Sequence, residues 1–340
     1  MTAHFLAIET SCDETAASVF TDEPKILSNV IASQTELHQR FGGVVPEVAA
    51  RAHLQRLLPV IDEALRKSGK RLEDMAAIAV HHTPGLVGAL LIGVSAAKAL
   101  AIALDVPLLA VNHIEAHIYA ARVAAGRDIF PCVGLVVSGG HTALFHCKSS
   151  LQFELLGSTR DDAAGEAFDK VAQILQLGFP GGPAIDREAA TGNPKAHRFP
   201  RTLFDRDNLD FSFSGLKTAV LYAVHGKDLS NPRPAPTGQE RADFAASFQQ
   251  AVVDVLVEKC RRALVTTGLK RLAVGGGVAA NQSLRIAMTD LIGDRQGELF
   301  IPPMELCTDN AAMASLAVEK WRLSLFAPMD LDAEPNLAWS

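Results

Sequence analysis

Short apolar runs, broken by acidic or glycine-bearing loops and alternating with stretches of helical period, organise this chain. Phe5 to Ile8 is apolar, Glu9-Thr10-Ser11-Cys12-Asp13-Glu14-Thr15 is polar, and Ala16 to Phe20 is apolar again, which predicts strand, loop, strand. The loop carries carboxylates and hydroxyls instead of the glycine or Asn-Gly of an ordinary hairpin. A glycine-containing stretch, Gln39 to Glu47, then opens a helix. Its apolar positions Ala49, Leu54, Leu57, Leu58, Ile61 and Leu65 recur every three or four residues, and one buried face is expected, bent at Pro59. Gly69 fits the cap of that helix, and the basic run Arg66 to Arg71 reads as its solvated end. Ala76 to Val80 and Val106 to Val111 read as strands, the Ala/Leu-rich segment after Gly85 as a buried helix between them, and the alternation as a mainly parallel sheet.

The second half starts the pattern again. Cys132 to Val137 and Ala143 to Cys147 are strands around Ser138-Gly139-Gly140-His141-Thr142, echoing the first strand-loop-strand and suggesting a duplicated half. Paired glycines let backbone amides approach an anion. Gly165-Glu166-Ala167-Phe168-Asp169-Lys170 opens a helix that ends near Gly178-Phe179-Pro180-Gly181-Gly182. A long amphipathic helix runs from about Glu240 to Thr267 with Phe244, Phe248, Val252, Leu256 and Leu264 as core, so this middle region reads as a helical module. Leu272 to Val274 leads into a third glycine loop, Gly275 to Asn281. Three such loops at strand ends are what a nucleotide site needs.

Composition narrows the class. At 48% hydrophobic and 21% charged residues the chain matches a globular protein of two ordinary domains. Five scattered cysteines with no Cys-x-x-Cys pair point to a reducing cytoplasm and to no cysteine-built metal site. No basic segment precedes a long apolar run at the start, so no signal peptide is expected, and Gly85 to Val111, holding Lys98 and Asp105, reads as helix and strand instead of a membrane span. A net charge of −6 argues against binding nucleic acid by bulk charge. Lys195, His197, Arg198 and Arg201 form the local basic stretch, with a solvated loop as the plainer account.

The candidate chemistry centres on His113-Ile114-Glu115-Ala116-His117. Two histidines four apart share a helix face and can reach one metal ion, whereas Glu115 lies roughly 200° round the helix from that face. In zinc proteases the glutamate follows the first histidine directly, so a protease is disfavoured. Two partly buried, hydrogen-bonded histidines remain the bland alternative. Asp309 could cap the helix beginning there, or could lend an oxygen to the histidine metal. Two histidines and one carboxylate leave positions open for substrate.

Taken together, the segments Ile8 to Thr15, Gly42 to Glu47, Pro84 to Gly88, His113 to His117, Val137 to Thr142, Gly165 to Lys170, Phe213 to Lys217, Gly275 to Asn281 and Thr308 to Asn310 closely resemble the TsaD family of tRNA adenosine threonylcarbamoyltransferases, also written Gcp or YgjD. Thr83 departs from the family pattern, where glycine is expected. The resemblance implies an α/β, two-lobed actin/Hsp70/sugar-kinase-like fold with duplicated ribonuclease-H-like halves: residues 1–128, residues 129–307 with a helical insertion at about 160–267, and 308–340 returning to the first lobe. It implies transfer of threonylcarbamoyl from threonylcarbamoyl-AMP to the adenosine beside the anticodon in tRNAs reading A-starting codons. His113, His117 and Asp309 would hold one divalent metal, iron(II) or zinc. Val136, Val137, Ser138, Gly139, Gly140, Asp169, Gly182, Asp186 and Asn281 would bind the adenylate. Asp13 and Glu14 are the catalytic candidates, Asp13 to orient the amine or take its proton, and Lys195, Arg198 and Arg201 the tRNA contacts. A TsaB-like paralogue and a TsaE-like ATPase are the expected partners. An ATP-hydrolysing or kinase member of the fold, and a non-catalytic tRNA-binding scaffold, are the competing readings.

Overall fold

The computed structural model describes residues 2–204 and 208–336, which divide into two compact units, Met1–Asp128 with Met304–Ser340, and Ile129–Pro303. Unit 1 is built on β1 (His4–Glu9), β2 (Glu14–Thr21), β3 (Ile26–Ser33), β4 (Ala77–Thr83) and β5 (Leu108–Asn112) in the order β3-β2-β1-β4-β5. Phe5 to Ile8 have no exposed surface, as befits a central strand covered on both faces. Strand β2 pairs antiparallel with both β1 and β3, whereas β4 and β5 run parallel to β1. The sheet is therefore mixed, correcting the mainly parallel expectation: loops of a few residues can only return the chain antiparallel, and parallel pairs occur only where a helix makes the crossover.

The helices of this unit are α1 (Thr35–Gln39), α2 (Pro46–Ser68), α3 (Val87–Leu104) and α4 (His113–Ala125). Gly69 ends α2 in the left-handed region at φ 67°, as the sequence indicated. Leu57, Ile61 and Leu65 pack into a core with Leu6, Ile8 and Val94. Leu54 and Leu58, however, are 67% and 70% exposed, correcting the single buried face: they lie one turn apart on the side of α2 away from the core. Helix α3 is long and apolar enough to cross a membrane by length and composition, yet a third of it is buried, and it packs on β4 and α2. Val87, Leu91 and Ile102 remain exposed on it.

Unit 2 repeats the plan. Strands β6 (Cys132–Val137), β7 (Thr142–Ser149), β8 (Gln152–Ser158), β9 (Arg271–Gly275) and β10 (Glu298–Phe300) stand in the order β8-β7-β6-β9-β10, with the same senses as their counterparts in unit 1. Between β8 and β9 lie α5 (Ala164–Ile174), α6 (Gly181–Ala189), α7 (Ser214–His225) and α8 (Gly238–Thr267); α9 (Gln282–Asp294) follows β9. The expected core residues of α8 are all buried. After unit 2 the chain rejoins unit 1 through a 3-10 segment, Ala311–Leu316, and α10 (Ala317–Arg322). Beyond it the backbone ties to Leu108, His82 and Gly85 of unit 1.

Gly276 sits at φ 94°, ψ 161°, a region open essentially to glycine alone. A Cβ there would lie 2.3 Å from the Val137 carbonyl oxygen, so the absence of a side chain lets the β9 loop close on the end of β6. Gly276→Ala should lower folding stability by about 3 kcal/mol or more, strain and collision adding; a denaturant midpoint within error of wild type would show that the loop relaxes freely.

Candidate metal and nucleotide sites

Two asparagine caps build the metal candidate. Asn112 Oδ1 accepts from the Ile114 and Glu115 amides at 2.8 and 3.2 Å, so α4 begins at His113 and puts His117 one turn along the same face. Asn310 Oδ1 accepts from the Ala312 and Met313 amides at 3.0 and 3.3 Å. Asn310, not Asp309, is thus the cap of Ala311–Leu316, and the Asp309 carboxylate is left for the histidines. Its Oδ1 lies 3.5 Å from His113 Nε2 and 3.3 Å from His117 Nε2. Nitrogen and oxygen ligands about 2.0–2.1 Å from a tetrahedral ion stand roughly 3.3–3.4 Å apart, so these separations suit a shared ion. The fit has a second sign: His117 is fully buried and neither of its ring nitrogens makes a hydrogen bond. A buried polar group without a partner is costly, and a cation would supply one. Glu115 stays out of this group, its carboxyl raised by burial and opposed by Lys320.

A second set lies behind His113. Its Nδ1 donates to Glu9 Oε2 at 3.1 Å, Ser11 Oγ lies 3.1 Å from the same nitrogen, and His81 Nδ1 approaches Glu9 Oε2 to 2.7 Å. Glu9 Oε1 accepts from the Ser11 amide. Burial opposes the charge on His113, but Asp309 and Glu9 prevail and raise its pKa to about 10. Burial would raise Glu9 and Asp309, yet the neighbouring imidazoles hold both below the usual carboxylate range. His117 is pushed down by burial, with the His113 charge adding to the effect. Glu9 and His81 carried no assigned role in the sequence; their only signal was polarity at the carboxyl ends of apolar strands, where α/β sheets place their sites.

The acidic loop between β1 and β2 is clamped from α2. His53 Nε2 donates to the Cys12 carbonyl at 2.9 Å, and Thr15 Oγ1 lies 2.8 Å from His53 Nδ1. Asp13 is raised by burial and by Asp309, against contributions from Cys12 and His38. Glu14, accepting from Ser33 at 2.8 Å, is raised by burial to about 8, with Asp13 and Asp309 adding and Ser33 and Arg56 opposing. Thr83, in the place of the expected glycine, pairs with Asn112 at an irregularity between β4 and β5.

In unit 2, Val136, Val137 and Ser138 are buried, and Gly139 and Gly140 are exposed past the end of β6. The Ser138 carbonyl accepts from the Gly165 amide at 3.1 Å, bringing the start of α5 against this loop. Asp169 accepts from the Gly181 amide at 2.7 Å, next to Gly182. Asn281 donates to Asp186 Oδ1 at 3.0 Å and to Gln249 at 2.7 Å, and caps α9 through the Leu284 amide. The nine expected adenylate residues thus form two linked groups, one around β6 and α5 and one around α6 and α9. The basic stretch is less uniform than its sequence. Lys195 and Arg198 are exposed, but Arg201 is engaged with Asp254 at 2.7 Å and with the Phe199 carbonyl, and His197 stacks on Phe244 at 3.8 Å.

The family description "TsaD: tRNA N6-adenosine threonylcarbamoyltransferase" matches residues 25–316. Proteins of that name from Rhodopirellula baltica and Anaeromyxobacter dehalogenans are 51% and 52% identical to this chain, covering 98% of it and 96% and 98% of themselves. Among solved structures, T. kodakarensis HypF superposes with a TM-score of 0.62 at 15% identity, over 94% of this chain and 47% of that one. Component A of the Acidaminococcus fermentans (R)-2-hydroxyglutaryl-CoA dehydratase does so at 0.52 and 16%, over 94% and 98%. These distant likenesses bear on the fold alone, the actin/Hsp70/sugar-kinase-like class with its duplicated halves. The half-identical relatives bear on more: this chain belongs to the TsaD family of tRNA N6-adenosine threonylcarbamoyltransferases.

Proposed function

We infer that this chain moves the threonylcarbamoyl group from threonylcarbamoyl-AMP to the exocyclic N6 amine of the adenosine 3′ of the anticodon, in tRNAs reading A-starting codons. Its family supports the group and the tRNA adenosine. The observation that carries a metal-dependent form of the reaction is His117, fully buried beside Asp309 with neither ring nitrogen hydrogen-bonded. The same feature weighs against a kinase or ATP-hydrolysing member of the fold, which has no need of histidine ligands. One divalent ion, iron(II) or zinc, held by His113, His117 and Asp309, would supply Lewis acidity where charge builds on oxygen.

In the reaction the amine bonds to the carbamoyl carbon, the bond from that carbon to the phosphate oxygen breaks, and AMP leaves. The amine must lose a proton. Asp13, its pKa raised by burial, is our base; Glu14, a neutral acid at neutral pH, suits donation of a hydrogen bond. The Gly139 and Gly140 amides, with Val136, Val137 and Ser138 behind them, would face the phosphate, and Asp169, Gly182, Asp186 and Asn281 would fix the nucleoside. Incubation with unmodified tRNA, threonylcarbamoyl-AMP and the partner proteins, followed by nucleoside mass spectrometry, tests the reading; unmodified adenosine throughout would reject it.

A net charge of −6 leaves little to hold a polyanion unaided, even with Lys195, Arg198 and Arg201 counted. The reading therefore includes a composite tRNA surface: a TsaB-like paralogue on the exposed apolar residues Leu54 and Leu58 of α2, and a TsaE-like ATPase in addition. The cytoplasm, where the tRNA substrates are, is the proposed location.

His113→Ala, His117→Ala and Asp309→Ala should stay folded, lose metal affinity by more than the roughly 10–100-fold that an outer partner costs, and lose transfer; full metal occupancy in any two of them removes the ligand assignment. Asp13→Asn should keep metal and KM while kcat falls about 10²–10⁴-fold, and an unchanged kcat would leave Asp13 a structural role. In metal-free protein Glu14 stays protonated in the fold up to about pH 8 but ionises near 4.5 when unfolded, so its contribution to stability falls as pH rises through that window. Glu14→Gln should therefore gain in melting temperature over wild type between pH 5 and 8, and a constant difference would contradict the raised pKa. Binding of tRNA should be weak for the chain alone and tighten with the paralogue, an effect lost in Leu58→Asp; tight binding by the isolated chain, steeply weakened by salt, would refute the composite surface.

A further inference from the structure

The two groups that meet at His113 differ in spacing, and the difference separates their roles. On the Nε2 side the atoms stand 3.3 and 3.5 Å from Asp309 Oδ1, wide enough for a tetrahedral ion between them. On the Nδ1 side Glu9 Oε2 lies 3.1 Å from His113, a direct hydrogen-bond distance, and 2.7 Å from His81, an ion-pair contact, both closer than the ligands of a tetrahedral ion stand. Both Glu9 and His81 are wholly buried.

The placement follows from the sheet. Strands β1, β4 and β5 are parallel neighbours, with Ile8 opposite Val80 and His81 opposite Val111. Glu9 closes β1, His81 stands near the end of β4, and His113 follows the end of β5. Glu9 is itself held, since its other oxygen accepts from the Ser11 amide. The Gly85 position fixes that turn further: the Leu86 amide donates to the Ser11 carbonyl at 2.8 Å, and a Cβ on Gly85 would lie 2.5 Å from the same oxygen.

We propose that Glu9 and His81 are positioning residues for the metal site: Glu9 accepts from His113 Nδ1 and so fixes that ring with Nε2 turned to the ion, and His81 holds Glu9 from the opposite side. A carboxylate can only accept, so Nδ1 carries the proton and Nε2 offers its lone pair. Partners of this kind set the tautomer and raise the basicity of a metal-bound imidazole. His81 brings a polar ring nitrogen to 2.7 Å from Glu9 Oε2, and a phenyl ring there would keep the shape without that contact.

The inference rests on the ligand reading above, so the test measures both. Cobalt(II) is titrated into the full-length metal-free chain and its dissociation constant and visible spectrum recorded for wild type, His117→Ala, Glu9→Gln, Glu9→Ala and His81→Phe, with circular dichroism as the check on folding. Expected are a loss of affinity of roughly 10–100-fold for Glu9→Ala with a changed cobalt spectrum, partial recovery in Glu9→Gln, whose oxygen can still accept, and a smaller loss in His81→Phe. Should Glu9→Ala fail to fold, Glu9→Gln and His81→Phe decide alone, by weakened affinity and an altered spectrum. Wild-type affinity and spectrum in both, while His117→Ala binds poorly, would overturn the positioning roles and spare the ligands. Undiminished binding by His117→Ala would instead remove the ligand reading. Two cobalt ions per wild-type chain, falling to one in Glu9→Ala, would make Glu9 and His81 ligands of a second ion and overturn the proposal equally.

Discussion

Two carboxylates and three imidazoles share the interior at the carboxyl ends of β1, β4 and β5, and the rest of unit 1 is arranged around making that burial tolerable. An isolated buried charge is among the most costly groups a protein can hold, so each member needs partners on more than one side. Glu9 has His113, His81 and the Ser11 amide; Asp309 has both ring nitrogens of the α4 pair. His117 and His81 are both buried with neither ring nitrogen hydrogen-bonded, so the group is not a self-sufficient polar core, and beside Asp309 it is at His117 that a cation would supply the missing partner. Two asparagine caps decide where the helices bearing these residues begin, and a shift of one residue at either cap would turn a ligand away.

The repeated sheet gives the two units one scaffold and two uses. In unit 1 the end of β1 leads into a loop of carboxylates and hydroxyls; in unit 2 the corresponding end of β6 leads into Ser138-Gly139-Gly140, where exposed backbone replaces side chains. Identical strand order therefore leads to carboxylates and imidazoles in one half and to exposed glycine backbone in the other. Close backbone approach is common to both halves: Gly276 in unit 2 admits the Val137 carbonyl and Gly85 in unit 1 that of Ser11, contacts that a side chain would block.

Much of this was readable from local spacing. His113 and His117 are four apart, so a shared helix face needs nothing but the helical period, and the strand-loop-strand repeat was visible as two apolar runs around a polar turn. Glu9 and His81 were not legible, because their meaning comes from strands that are neighbours in the sheet but far apart in sequence. Leu54 and Leu58 defeated the periodic reading for a different reason: a helix whose apolar residues spread over a wide arc has the same pattern whether all of it faces the core or part faces outward. The sheet's mixed sense was within reach, since the short connections among β1, β2 and β3 leave no length for a crossover. Asp309 was ambiguous in sequence between cap and ligand, and Asn310 beside it, fully buried and bonded to two amides, takes the capping role.

Unit 1 is made of both ends of the chain, whereas unit 2 is one continuous stretch between them. On a ribosome, which delivers residues in order, unit 2 is complete at Pro303 while unit 1 still lacks Asp309, the 3-10 segment Ala311–Leu316 and α10. The half that starts first therefore finishes last. His113 and His117 are without Asp309 until then, and the group of these three residues can exist only on a chain synthesised past position 309. A product truncated before Asp309 could thus hold a finished unit 2 and still lack the carboxylate that stands beside His113 and His117.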